Sequence, residues 1–248
     1  MTIPAMRLED ETARPLRLPL AGLTTLDPEA FPGRRAAVVY LQGCPLQCGY
    51  CENGSMMAPR RGAPGEWAAV RDYLERRLGD LEAVVFSGGE PTLHADLPAA
   101  IADARALGLS VGLHTAGPYP DRLVRLLPQL DWVALDVKGR GADFDRIGGR
   151  DGVWRRHARS LEALLAGEVA FECRTTVHWR DFALADVERL ALTLADCGVR
   201  RYALQLARTE RCQDPAYCAP VPGAPTTPAL EALARRLRPH FARLTLRH

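Results

Sequence analysis

Apolar residues recur along the chain in short, nearly unbroken runs, and the stretches between them show the three-to-four-residue spacing of amphipathic helices. The runs cover residues 36–41, 83–86, 110–114, 132–136, 170–177 and 201–206, and the helical stretches cover 67–77, 97–106, 120–127, 154–165 and 184–196. Gly79, Gly108, Gly167 and Gly198 follow helical stretches, where a residue free to take positive φ commonly ends a helix. Strands that are apolar on both faces suit a parallel sheet covered by helices. The rhythm predicts an α/β fold of six strand–helix units with right-handed crossovers. A closed barrel of this kind needs eight units and usually about 250 residues. The expected architecture is therefore an open, partial (β/α)6 barrel, a parallel sheet with outer helices.

The flanks read differently. Residues 1–15 are polar without a period and are expected to form a loose extension. Residues 16–25 alternate weakly and predict an edge strand or hairpin arm, with Pro19 favouring an edge. The segment 27–33 is rich in turn residues. Beyond the sixth run, 215–228 is Pro-rich and expected to be extended, 229–237 predicts a final helix, and 241–246 a last strand. No linker interrupts 16–248, so one domain is expected there.

Composition narrows the class. Of 248 residues, 47% are hydrophobic and 25% charged, and a net charge of +2 gives no basic face for nucleic acid or membrane surfaces. No stretch approaches the ~20 apolar residues of a membrane span, and no signal-peptide core is present. Seven cysteines, an odd and unevenly placed set, fit a reducing cytoplasm better than a disulfide framework. A soluble cytoplasmic protein is expected.

Three of those cysteines carry the chemistry. Cys44, Cys48 and Cys51 lie at C-x3-C-x2-C spacing just after the first strand, in a loop freed and punctuated by Gly43, Pro45 and Gly49. Three thiolates this close can grip one small metal centre. Iron–sulfur clusters normally take four cysteines, so a four-iron cluster here would keep one iron without a protein thiolate. An open coordination position marks a reactive site rather than a structural one. Zinc and three unrelated free thiols are the alternatives, though paired C-x2-C and a spaced His are absent.

The C-x3-C-x-aromatic-C loop, with Tyr50 as the aromatic, resembles the signature of the radical S-adenosylmethionine (radical SAM) superfamily. The wider stretch from Gly22-Leu-Thr-Thr through Phe31-Pro-Gly to Cys44 is similar to activating proteins of glycyl-radical enzymes, particularly the anaerobic ribonucleoside-triphosphate reductase activating protein. The resemblance runs from about Leu18 to Gln205. It implies that Cys44, Cys48 and Cys51 hold a [4Fe–4S] cluster whose open iron is chelated by S-adenosylmethionine (SAM). Ser87-Gly88-Gly89-Glu90 after the second strand matches the family's GGE turn, whose role is to hold the methionyl amine. Thr115 after the third strand matches too, but His114 and Ala116 depart from the family's Asp-Thr-Asn-Gly, which puts in doubt the monovalent cation bound by activating enzymes. Asp136 and Lys138 match Asp-x-Lys and are expected to face the cofactor's ribose and carboxylate. Arg174 is expected to pair with the SAM carboxylate, since a guanidinium suits bidentate recognition, and Gln205 to contact the adenosyl group. The 144–149 stretch resembles a family loop near the partner. Glu52 replaces the usual His, while Asn53 keeps the pattern. Cys173 and Cys197 are expected in the core, and Cys212 and Cys218 as free thiols or partner contacts.

The resemblance implies reductive cleavage of SAM and hydrogen abstraction from a backbone glycine of a partner enzyme, anaerobic ribonucleotide reductase being preferred. A reduced flavodoxin or ferredoxin-type protein would supply the electron. Two alternatives stand beside this: a small-molecule enzyme like 7-carboxy-7-deazaguanine synthase, and a non-catalytic iron–sulfur carrier. The carrier has no need of the GGE turn, Asp136, Lys138 or Arg174.

Overall fold

The computed structural model describes residues 15–247, so the extension expected over 1–15 lies, but for Pro15, outside the described residues. In chain order the elements are β1 (Leu20–Asp27), β2 (Ala36–Leu41), α1 (Glu66–Arg76), β3 (Ala83–Gly88), α2 (Leu97–Ala106), β4 (Ser110–Thr115), α3 (Pro120–Leu126), β5 (Trp132–Asp136), α4 (Ala142–Gly148), α5 (Val153–Ala166), β6 (Ala170–Val177), α6 (Leu184–Asp196), β7 (Arg201–Leu206), α7 (Pro215–Cys218), α8 (Thr227–Leu237) and β8 (Arg243–Arg247). The eight strands form one sheet in sequential order, with β1 antiparallel to β2 and the remaining neighbours parallel. β1 and β8 are its two edges, so the sheet is open as expected. The last strand makes the parallel set seven rather than six.

Side-chain alternation sorts each strand into an inner and an outer face. Ala37, Val39, Val84, Phe86, Val111, Leu113, Val133 and Leu135 face the helical layer and join its main apolar cluster. Each fully buried Leu, Val or Phe there contributes about 1.5–3 kcal/mol of transfer free energy. On the other face a small second cluster gathers Ala36, Val38, Ala83, Val85 and Trp132. It is filled by the turn after β1, which inserts Ala30 and Phe31. Phe31 sits 6.3 Å from the Trp132 ring centroid. Gly112 leaves it room, since a Cβ there would meet Phe31 at 3.1 Å. The turn-rich segment is thus a plug under the site.

Helix ends follow local chemistry. Gly79, Gly108 and Gly198 take φ of 97°, 83° and 96° just past their helices, the left-handed geometry that glycine allows. Gly167 differs, leaving α5 in an extended conformation at φ −92°. α4 was expected as loop. It buries Phe144 and Ile147, three residues apart on one face, between Gly141 and Gly149 at positive φ. In the Pro-rich tail, α7 forms a single turn capped by Asp214, whose side chain accepts from Ala216 N. Among the described residues, no helix is long and apolar enough to cross a membrane.

Candidate active site

The carboxyl ends of the parallel strands open into a cavity of about 280 Å³, the end of an α/β sheet where ligands bind. Its wall brings together Cys44, Cys48 and Cys51 with Tyr50, Gly88, Gly89, Thr115, Asp136, Lys138, Arg174 and Gln205. His114, Ala116, Glu52 and Asn53 also line it. Residues up to 161 positions apart in sequence therefore meet in one place, between Cys44 and Gln205.

The cysteine loop is held from three sides. Gly43 N and Cys44 N donate to Met56 O and Met57 O at 2.6 and 3.1 Å, folding the loop back on its own exit. Gln47 N donates to Gly148 O at the end of α4, at 2.8 Å. Gln213 N and Asp214 N, from the segment before α7, donate to Cys51 O and Gly49 O at 2.9 and 3.1 Å. Tyr217 lies so close over Gly49 that a Cβ there would fall 2.2 Å from its ring. Gly89 meets the loop as closely, since its Cβ would lie 2.2 Å from Gly43 O. These close approaches are the physical need for glycine at both positions.

Glu90 is placed differently from expectation. It is 1% exposed and stands behind the cavity rather than on its wall. Its carboxylate accepts from Thr92 N, Thr92 Oγ1, Thr115 Oγ1 and Ala116 N. Burial pushes its carboxyl up, while those donated bonds pull the other way. With both oxygens committed, Glu90 ties the turn after β3 to the turn after β4. The Gly88–Gly89 backbone is what the cavity sees of the GGE turn.

Charges inside the cavity are partly pre-paired. Lys138 Nζ lies 3.4 Å from Tyr50 OH and 3.9 Å from Asp136 Oδ2. Burial alone would pull the Lys138 ammonium down, but Cys48, Tyr50 and Asp136 around it hold it above its ordinary range. Arg174 donates through Nε to Glu172 at 2.9 Å, and Arg247 on β8 donates to the same carboxylate at 3.0 Å. One terminal nitrogen of Arg174 lies 3.3 Å from His114. Burial, and Arg174 beside it, bring the His114 pKa down to about 3, so the ring is neutral near pH 7. Its Nε2 reaches Ala30 O, on the plug, at 2.8 Å. Gln205 Nε2 donates to Thr176 Oγ1 at 2.9 Å, and Arg208 lies 3.7 Å from Glu52 at the rim.

The donor set fits an iron–sulfur centre. Burial, with Glu90 adding to it, pushes the Cys44 thiol up to about 12, and burial raises Cys48 as well. Such thiols ionise only beside a strong positive centre, as a coordinating metal provides. Among the described residues, no three His, Cys, Asp or Glu side chains converge as around a single ion. Cys44, Cys48 and Cys51 all line the cavity wall. Of the other cysteines, Cys173 is buried as expected, and Cys212 is buried while Cys218 is exposed. Cys197, expected in the core, is exposed at the end of α6, because the helix turns its preceding apolar face inward and ends there.

Sequence reasoning missed Glu172, Arg247, the plug and the clamp at 213–217. Gly49 and Gly54 signalled the clamp, by lacking side chains that Tyr217 and Gln213 would strike.

Residues 38–171 match the family model described as the radical SAM superfamily, more than half of the chain. The chain belongs to the radical SAM superfamily. This radical SAM chain is 32% identical over 195 residues to a protein of Methanocaldococcus jannaschii named for glycyl-radical enzyme activation, covering 75% of this chain and 78% of that one. It is also 42% identical over 108 residues to a PqqA peptide cyclase of Xanthomonas campestris pv. campestris, but spans only 28% of that protein's length. Its fold superimposes on QueE from Escherichia coli with a TM-score of 0.54 at 21% identity, covering 93% of each chain. Family membership makes it an enzyme of radical chemistry and implies a [4Fe–4S] cluster and SAM.

Proposed function

We propose that this radical SAM enzyme generates a glycyl radical on a partner enzyme, with anaerobic ribonucleoside-triphosphate reductase as the preferred partner. The observation that carries the reading is the 32% identity to the M. jannaschii protein, because it extends over three quarters of both chains. When bound, the cluster and SAM supply a 5′-deoxyadenosyl radical from one electron, delivered by a reduced flavodoxin or ferredoxin-type protein.

The chain's own part is positioning. Cys44, Cys48 and Cys51 would hold three irons and leave one open to the methionyl amine and carboxylate. Gly88 and Gly89 let backbone approach the amine closely, and Arg174 would take the carboxylate. Asp136 and Lys138 would face the ribose and carboxylate, and Gln205 the adenosyl group. Tyr50 packs the cysteine loop against Lys138, and Thr115 shares Glu90's hold on the β4 turn. No general acid or base is needed for hydrogen-atom abstraction.

A second reading, modification of a peptide substrate, is favoured by the 42% identity over 108 residues to PqqA peptide cyclase. Anaerobic reconstitution with iron and sulfide, then dithionite and SAM, tests the shared chemistry through the cluster's electron paramagnetic resonance (EPR) spectrum and 5′-deoxyadenosine. Adding anaerobic ribonucleotide reductase should then yield a protein-bound glycyl radical doublet. Deoxyadenosine formation without that doublet, on any glycyl-radical enzyme tried, would sink the activase reading and favour the peptide one.

A further inference from the structure

Two arginines converge on one buried carboxylate beside the cofactor pocket. Glu172 and Arg174, two positions apart on β6, share one face of the sheet. Arg247 reaches them from β8, two strands away, a crossing of about 10 Å at ordinary strand spacing. On β7 between them, level with Arg174 and Thr245, stands Ala203, whose small side chain leaves the crossing open. Arg174 Nε and a terminal nitrogen of Arg247 donate to the same oxygen, Glu172 Oε1, at 2.9 and 3.0 Å. The side chains of Arg174, Glu172 and Arg247 are 11%, 4% and 18% exposed.

The other groups around this pair do not cancel its charge. Arg174 Nη1 lies 3.3 and 3.4 Å from the two ring nitrogens of His114, so nearly equidistant that it sits over the ring face and not in its plane. That ring is neutral near pH 7. Arg174 Nη2 is 3.5 Å from Glu29 O, an uncharged carbonyl. Asp136 is half exposed and lies 3.9 Å from Lys138. The Glu29 carboxylate lies 3.9 Å from Arg247 but is 73% exposed, so water screens most of its attraction. Among the buried groups, two guanidiniums thus share one carboxylate, and one positive charge is left over. Burial first, and Arg247 next, bring the Arg174 guanidinium below its ordinary range, as befits a cation short of counter-charge. Arg174 lines the pocket, whereas Glu172 and Arg247 do not, so the pocket is where a further anion can meet that charge.

We propose that Arg247 is a positioning residue for the SAM carboxylate: it shares Glu172 with Arg174 and so leaves Arg174 with charge for the ligand. Without Arg247, Glu172 and Arg174 would close into a neutral pair, and the carboxylate would meet a dipole instead of a cation. This rests on the reading that Arg174 takes that carboxylate.

The test is equilibrium binding of SAM to the reconstituted full chain, without reductant. Decarboxylated SAM, which keeps the sulfonium and the amine, is the matched ligand. Arg247→Gln should weaken SAM binding about fivefold or more and leave decarboxylated SAM unchanged or slightly tighter. Arg247→Lys, which returns the charge, should bind SAM more tightly than the glutamine variant. Iron content and circular dichroism should match the parent. Should the glutamine variant not fold, Arg247→Met keeps the apolar stem and carries the same expectation. Equal weakening of both ligands would make Arg247 merely structural and overturn the proposal. Unchanged SAM binding, or no recovery in Arg247→Lys, would overturn it too. Arg174→Gln weakening both ligands equally would instead overturn the reading of Arg174, and absence of SAM binding in the parent chain would overturn the function proposed above, so the failures are separable.

Discussion

Around the cofactor pocket the chain meets its own buried acceptors, with donors from the β3 and β4 turns on Glu90 and two arginines on Glu172, whereas in the groove between α5 and α6 Asp181 Oδ2 and His157 Nε2 have no partner at all. His157 Nδ1 faces Ala116 O at 3.0 Å, and a carbonyl can only accept, so Nδ1 carries the proton and Nε2 is the acceptor. Among the described residues none of the buried unpartnered side-chain atoms lies on the pocket wall. A network satisfied before any ligand arrives holds its members in one arrangement, and catalysis gains from groups that need no reorganisation at the moment of reaction. A wall that keeps two acceptors unpaired bears a desolvation cost of about 1–3 kcal/mol for each. The fold meets the pocket's buried acceptors and leaves these two unmet.

The largest break in this comparison comes from the thiols, the donors the pocket leaves open. Cys48→Ala should remove the cluster, with bound iron and sulfide falling to background and 5′-deoxyadenosine formation falling at least a thousandfold. Circular dichroism should be nearly unchanged, because a buried free cysteine packs as a small apolar side chain. Retention of a four-iron EPR signal in this variant would remove the cysteine loop from its assigned role.

Acid sharpens the comparison next, because each cavity holds a buried neutral histidine. His114 on the pocket and His157 on the groove have folded pKa values lowered by burial to about 3 and about 4. A depressed folded pKa means that the stabilisation is fully present above the unfolded value, about 6.5. It is lost as the pH falls from there toward the folded value, at up to about 1.4 kcal/mol per pH unit for each group. Urea unfolding at a series of pH values should therefore show a steepening loss between pH 6 and 4.5. His157→Phe should reduce that slope by about one proton's worth. An unchanged slope would mean that His157 is already protonated, and its Nε2 would then be no acceptor.

Legibility from sequence followed the length scale of each feature. The six inner strands were readable because most are nearly unbroken apolar runs, β6 with Glu172 and Arg174 least so, and the cysteines because three ligands lie within eight residues. α4 was not, since seven residues with Asp143, Asp145 and Arg146 among them give too little periodicity. The inner plug was hidden because Ala30 and Phe31 sit in a turn-rich segment whose burial depends on space left by Gly112. Glu90 was recognised by its motif, yet its orientation depends on Thr115 and Ala116 from the next strand. The unpaired acceptors were beyond reach altogether. They come from α5 and from the turn after β6, and their lack of partners is a property of the packed molecule.

The finest discrimination compares one amide substitution in each region. Glu90→Gln turns one carboxylate oxygen into an N–H donor facing donors that the chain holds fixed, either Thr92 and Thr115 on one side or Ala116 N on the other. Neither orientation avoids a lost bond and an unpaired backbone or hydroxyl group, so unfolding free energy should fall by about 1–3 kcal/mol. Asp181→Asn makes the same chemical change where only Oδ1 is engaged. Its amide oxygen can keep both the Arg146 and the Tyr217 bonds, and the nitrogen replaces an oxygen that bonded to nothing. The lost attraction to a half-exposed Arg146 is offset by relief of a buried charge, so the change should stay within about 0.5 kcal/mol. Paired urea titrations at pH 7 read the two directly. Equal costs would show that Asp181 Oδ2 is partnered in solution, and the contrast between a completed pocket and an open groove would fail at that atom.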